Sequence, residues 1–277
     1  MAGIVAIWQR DVLKFFRDRA RLVGSFAMPF MFLILFGSGM SGAMKAMMGG
    51  TGASGPLRDF DFVEFMFPGI VGMAVFTTSI FSALSVVQDK EFGYMREILV
   101  SPISRMSIAI GKVLGGSTVA VFQGLLMMIF VPFIGLEINL SIILRLIPVM
   151  FLVAFVISSI GLLIASTLKT SQAFQMVIQI LIFPMLFLSG AFFPLSGMPA
   201  WMNVLVKINP LTYAVDMFKK IILQADQMTP ALKEAMGLNL SVFNHTITFT
   251  EEVLFMVAAG LIFIILATVS FSRTEAT

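Results

Sequence analysis

Cysteine is absent from all 277 residues, and histidine occurs once, as His245. The first absence excludes a disulfide framework and a thiolate metal site; the second leaves no histidine cluster to hold a metal. Charge is scarce too. Only 12% of residues are Asp, Glu, Lys or Arg, against about 25% in soluble domains. No GxxxxGK[ST] phosphate loop occurs, since Gly111-Lys112 is followed by Val113 and lacks the upstream glycine. There is no GxSxG, no HExxH and no carboxylate pair inside an apolar run. The chain is therefore not read as an enzyme, and no cofactor or metal is expected on it.

What remains is apolar: 58% of the residues, with a mean hydropathy of +1.00. This composition predicts an all-α integral membrane protein. Six apolar runs lie near 22–42, 65–87, 113–135, 146–167, 173–194 and 252–271, each close to the ~20 residues that a spanning helix needs. Pro29, Pro68, Pro132, Pro148 and Pro184 fall within them or at their ends, as neighbouring helices in a membrane can tolerate. Two units follow: an amphipathic interfacial helix over 1–21 and a six-span transmembrane domain over 22–277. The first run is too long and too far from the start for a cleaved signal peptide, so the N-terminus is expected to be retained.

Arg10, Lys14, Arg17 and Arg21 recur at helical spacing in the first unit, with Val5, Trp8, Val12, Phe15 and Phe16 as the opposing apolar face. With the N-terminus inside, eleven Lys and Arg fall in cytoplasmic pieces and seven in longer outer ones, which predicts cytoplasmic termini in a plasma or inner membrane. The outer region over 189–251 opens with SGAFFPLSGMP, a broken hairpin. Asn209 and Pro210 then start a helix read as interfacial, with Trp201 and Tyr213 at headgroup depth. His245 is read as a solvated loop residue.

No ionisable residue sits near the centre of any expected span, which disfavours an ion-driven carrier or a charged-ring channel. Energy for any transport then comes from outside the chain. Milder polar residues, Thr77, Ser82, Gln123, Gln172, Gln175 and Gln179, either bond helix to helix or line a substrate path. The last three share one helical face at i, i+3 and i+7. Gly111 and Gly115 form a small-xxx-small pair suited to close helix contact.

The most polar segment between apolar runs is 88–112, QDKEFGYMREILVSPISRMSIAIGK, with Asp89, Glu91 and Glu97 against Lys90, Arg96, Arg105 and Lys112. Charge counting places it in the cytoplasm, where it faces water or a protein. Its EFGYMREILVSPISR, followed by Gly111-Lys112, resembles the cytoplasmic loop of type-2 ATP-binding-cassette exporter permeases of the daunorubicin-resistance-type branch. Glu91, Gly93, Glu97, Leu99, Pro102 and Arg105 match an E-x-G-x-x-x-E-x-L-x-x-P-x-x-R pattern. FPMLFLSGAFFPLSGMP with NPLTYAVD is similar to the fifth span, broken hairpin and following helix of that family.

The resemblance implies a half-transporter. A second copy, or a homologous permease, encloses the path within membrane lipid, and two separate ATPase subunits bind ATP and Mg. Nucleic acid is not among the expected partners. A short helix around Glu91–Val100, stopped by Pro102, fits a groove on the ATPase, with Glu91, Gly93, Arg96, Glu97, Leu99, Pro102 and Arg105 as coupling residues. Met and Phe are abundant, at 22 and 29, which suits export of apolar or amphipathic molecules such as drugs or lipids. Two alternatives remain: export of a polysaccharide or other polar polymer, and a non-transporting assembly or sensor subunit.

Overall fold

The computed structural model describes residues 2–18, 22–25, 27–35, 39, 62–101, 103–136, 139–193, 195, 198–228, 233, 238, 241–242 and 245–274. Helix α1, Ala2–Arg17, precedes α2, Leu22–Leu35. Helices α3, Phe62–Ser82, and α4, Leu84–Glu91, run on almost without interruption, and α5 covers Tyr94–Val100. Helix α6, Arg105–Met127, continues through a 3-10 turn, Met128–Phe130, into α7, Val131–Ile134. Then come α8, Leu140–Thr167, α9, Ser171–Phe187, α10, Ala200–Ile208, α11, Pro210–Ile222, and α12, Phe249–Thr274. Ser241–Val242 and His245–Thr246 pair antiparallel, the only strands among the described residues.

Among the described residues, four stretches are long and apolar enough to cross a bilayer: Phe62–Glu91, Arg105–Ile134, Leu140–Thr167 and Phe249–Ser272. The runs expected over 22–42 and 173–194 yield the shorter helices Leu22–Leu35 and Ser171–Phe187. Residues 36–38 and 40–42 lie outside the described residues. Helix α9 stops at Phe187 because the chain turns back, with Gly190 at φ +75°. The third span begins at Arg105, not near 113, so Lys112 is a helix residue. At ~1.5 Å per residue a 30-residue stretch measures about 45 Å, well beyond the ~30 Å apolar core of a bilayer. The α3–α4 and α6–α7 helices are each 30 residues long and so exceed that thickness.

The centre of the bundle is α3, buried without a break from Phe65 to Phe76, as a helix apolar on all sides should be. It packs against α6, α8 and α11, while α8 is flanked by α12 and α6. The turn at Ala83 between α3 and α4 follows a run of hydroxyls. Ser79 donates to the Val75 carbonyl at 2.6 Å, Ser82 to Ser79 at 2.6 Å and Ser85 to Ser82 at 3.0 Å. Such back-bonding competes with the helical ladder and bends it.

Two expectations are corrected. Helix α11 is not an interfacial helix: Leu211 to Lys219 are all buried, against α3 and α8. Tyr213 is 4% exposed, donates its hydroxyl to the Lys207 carbonyl at 2.7 Å and lies 4.2 Å from the Phe255 ring. Its polar side is buried as well because those side chains find partners there: Thr212 donates to the Leu188 carbonyl at 3.2 Å and Lys219 to the Gly190 carbonyl at 2.7 Å. Trp201 on α10 is 65% exposed. Helix α1 also differs. Its buried side runs Ile7, Trp8, Asp11 and Phe15, while Val5 and Phe16 are exposed. It lies along α6, where Gly111 faces Ile4 and Ile7, and Gly115 faces Trp8 and Asp11. A Cβ on Gly111 would sit 2.9 Å from the Ile7 Cβ, so the glycine pair serves the close contact expected of it, with α1 as the partner.

Candidate coupling segment and its anchoring to the bundle

One end of the bundle gathers α4, the starts of α6 and α9, and the ends of α8 and α12. Helix α5 is attached there by residues 89–91, the last three of α4. Each makes a different connection.

Asp89, 3% exposed, is shared by two cations. Arg10 of α1 reaches both of its carboxylate oxygens, at 2.6 and 2.7 Å, and Lys112 of α6 reaches Oδ2 at 2.9 Å. Lys112 also donates to Asp11 of α1 at 3.1 Å and to the Ser85 hydroxyl at 3.1 Å. Two acids and two bases thus neutralise one another between α1, α4 and α6. Every donor of the Lys112 ammonium is used, as burial of that charge requires.

Lys90 turns toward the end of α8, donating to the Ser166 carbonyl at 2.8 Å and to Ala165 at 3.4 Å. Its ammonium lies 5.9 Å from the Phe271 ring of α12. Glu91 turns toward the start of α9, accepting from the Ser171 backbone at 2.9 Å and from the Ser171 hydroxyl. A cation therefore meets the negative end of α8 and an anion meets the positive end of α9, each favourable to the helix dipole. Both ends belong to the same turn, 168–170.

Beyond Glu91, Gly93 takes φ +82°, the left-handed region that favours glycine, and redirects the chain into α5. The helix therefore begins at Tyr94 and not at Glu91 as expected from the sequence. It ends at Ser101, whose carbonyl accepts from the Ile103 backbone at 2.7 Å. Ser104 then caps α6 by accepting from the Ser107 backbone at 3.1 Å. Among the described residues of segment 88–112, only 92–93, 101 and 103–104 lie outside helices, so it forms a helical hairpin.

The expected coupling residues separate into two groups. Glu91 and Arg105 bind inside the chain, Arg105 through the Ser272 carbonyl of α12 at 2.5 Å. Gly93 and Glu97 are exposed, beside Phe92, Tyr94 and Val100. Arg96 and Leu99 belong to α5, but their side chains, like Pro102 as a whole, lie outside the described residues. Among the described side chains of α5, Met95 is buried, at 3% exposure, and seats the helix on the bundle.

The candidate path residues do not form one surface. Thr77 donates to the Met73 carbonyl at 2.8 Å, and Ser82 is used as described above. Gln123 is fully buried and accepts from Ser25 at 3.1 Å, with its amide nitrogen unpaired. Gln172, Gln175 and Gln179 lie on the exposed face of α9 with Met176, Ile180 and Phe183.

Sequence reasoning missed Arg10, Asp11, Asp89 and Lys112 as a set. The legible signal was Asp11, an acid inside the stripe Ile4, Ile7, Trp8, Phe15. It also missed buried charge at the other end of the bundle. There Lys220 meets Asp216 at 2.9 Å and Glu252 at 2.7 Å, and Lys219 donates to the Gly190 carbonyl at 2.7 Å over the Phe65 ring. The centres of the four long apolar helices carry no charge, as expected: Glu252 lies in the first turn of α12, and α11 is not one of those four.

Residues 2–223 match the family described as ABC-2 type transporter. The chain is similar to the putative transport permease ycf38 of Cyanophora paradoxa, at 31% identity over 215 residues, 75% of this chain and 70% of that protein. It is also similar to the inner membrane transport permease YadH of Escherichia coli, at 26% identity, over 78% of this chain and 81% of that one. The probable multidrug ABC transporter permease YbhR of Escherichia coli is 31% identical, over 60% of this chain and 45% of its own length. With four apolar helices of spanning length and a family match covering most of its residues, this chain belongs to the ABC-2 type transporter family and is a transmembrane permease subunit of an ABC transporter.

Proposed function

We propose that this permease is half of an ATP-driven exporter of apolar or amphipathic molecules, drug-like or lipid, and that α5 is where separate ATPase subunits drive it. The observation that carries this reading is the junction at residues 89–91. A force on α5 reaches α4 first, and α4 is tied by Asp89, Lys90 and Glu91 to α1, α6, α8 and α9. The exposed side of α5 carries Phe92, Tyr94, Glu97 and Val100, a mixed surface suited to a groove on a partner.

In this reading two ATPase copies bind ATP and Mg, and a second permease, identical or homologous, faces the first. Helices α2 and α9 complete six crossings of a plasma or inner membrane, with both termini cytoplasmic. The glutamine face of α9 supports the paired arrangement, since polar amides are costly against lipid and suit a protein contact or a wet path.

The test is reconstitution with the cognate ATPase. Glu97→Arg is expected to lower transport-coupled ATP hydrolysis at least fivefold while leaving the thermal unfolding of the permease unchanged, because Glu97 is exposed. Full coupling in that variant would refute α5 as the contact. Stimulation of hydrolysis by a polar polymer, and not by amphipathic compounds, would refute the substrate class.

A further inference from the structure

At the end of the bundle opposite α5, the start of α8, the end of α11 and parts of 225–249 enclose a cavity of about 940 Å³. Small-molecule sites commonly measure ~300–1,000 Å³. Ile142, Val149 and Ile221 give it an apolar wall, and Arg145, Lys220, Lys233 and Asp226 bring charge to it. Lys220 is already committed to Asp216 and Glu252. Arg145 and Lys233 have no side-chain ion pair or hydrogen bond among the described residues, and neither does Asp226.

Two uncommitted cations beside an apolar wall define complementary chemistry: an anion joined to a hydrocarbon body. A guanidinium favours planar, two-point contact with carboxylate or phosphate oxygens, and an ammonium adds a point charge. Asp226 on the same lining disfavours a headgroup of high negative charge and accommodates one that carries an ammonium next to its phosphate.

We propose that this cavity binds an amphipathic, phosphate-bearing molecule, with the phosphate held by Arg145 and Lys233 and the apolar part against Ile142, Val149 and Ile221. The proposal concerns a site remote from α5 and holds whatever drives the transporter. It also gives a task to Asp226, Lys233 and Leu238, which line one side of the cavity.

The test uses the purified full chain in amphipol, titrated by calorimetry with dihexanoyl-phosphatidylethanolamine and dihexanoyl-phosphatidylglycerol. Saturable binding of at least one of them is expected, weakened about tenfold or more in the double variant R145Q/K233Q. Neither side chain has an ion pair or hydrogen bond among the described residues, so the variant is expected to keep the wild-type unfolding temperature. Wild-type affinity in the double variant would overturn the site. Equal affinity for inorganic phosphate would overturn the role of the apolar wall, and equal affinity for hexyl glucoside would overturn the role of charge. Repeating the titration in nanodiscs separates two sources of the same chemistry. Loss of probe binding there marks a ligand drawn from the bilayer, and retention marks one arriving from water.

Discussion

At the scale of single residues, Asp89 is the group on which most depends. It neutralises Lys112, which is 3% exposed at its side chain, and it holds both ends of the Arg10 fork. Asp89→Asn leaves Lys112 with the Asp11 carboxylate and the Ser85 hydroxyl and takes the carboxylate from the Arg10 fork; breaking a buried pair in this way costs up to about 3–5 kcal/mol. A large fall in the thermal unfolding temperature is expected, and a double variant that also replaces Lys112 by Met should recover much of it. Arg10→Ala should cost far less, because its side chain is 37% exposed. Lys219 supplies a pH prediction. Burial pulls its ammonium down to about 7, with the nearby Asp216 carboxylate offsetting only part of that. The unfolded chain therefore holds a proton that the folded chain has lost between about pH 7 and the ordinary lysine value of 10.5. The Lys219 contribution to stability should therefore rise with pH across that window. Unfolding temperatures measured from pH 6.5 to 9.5 should show it as a difference, with the parent gaining on Lys219→Met as the pH is raised.

At the scale of elements, the bend at Gly93 sets the direction of α5. No atom crowds Gly93, so the only obstacle to a side chain there is its φ of +82°. Gly93→Val should cost about 1–2 kcal/mol and uncouple ATP hydrolysis, whereas Gly93→Asn should be tolerated, since Asn adopts this conformation more readily. Coupled hydrolysis assays on the two variants check the difference. This hairpin was partly readable in the sequence. The polar island, the stop near Pro102 and the short helix could be placed from charge and proline alone. The inward turn of Asp89 and Lys112 could not, because hydropathy treats each charge as solvated unless its partner is known, and Asp11 lies 78 residues away from Asp89 in the chain. Helix α11 misled for the opposite reason. Its apolar face and flanking lysines fit a surface helix, and only packing against α3 shows that Lys219 is spent on a carbonyl and an aromatic ring.

At the scale of the whole molecule, the open question of assembly has a direct handle. The chain has no cysteine, so Gln175→Cys creates a single thiol on the exposed face of α9. A bis-maleimide reagent should then link two permeases in membranes if α9 faces a second copy. A cysteine replacing Leu254, exposed on α12, should link less. Equal linking at both positions would argue against α9 as the contact.

The grip of Lys90 and Glu91 on turn 168–170 has a consequence for how this junction tolerates change. Both side chains reach groups shared by many turns: Lys90 binds carbonyls at the end of α8, and Glu91 binds the Ser171 backbone as well as its hydroxyl. The contact reads polarity, a helix ending beside a helix beginning, more than it reads the identities of Leu168, Lys169 and Thr170. Leu168 and Lys169 should therefore accept exchange, and Thr170 should accept Ser, which keeps the hydroxyl that caps α9, while transposing the two charges, with composition and net charge unaltered, sets each against the wrong pole. Lys90→Glu with Glu91→Lys should thus impair transport more than replacing both residues by Gln.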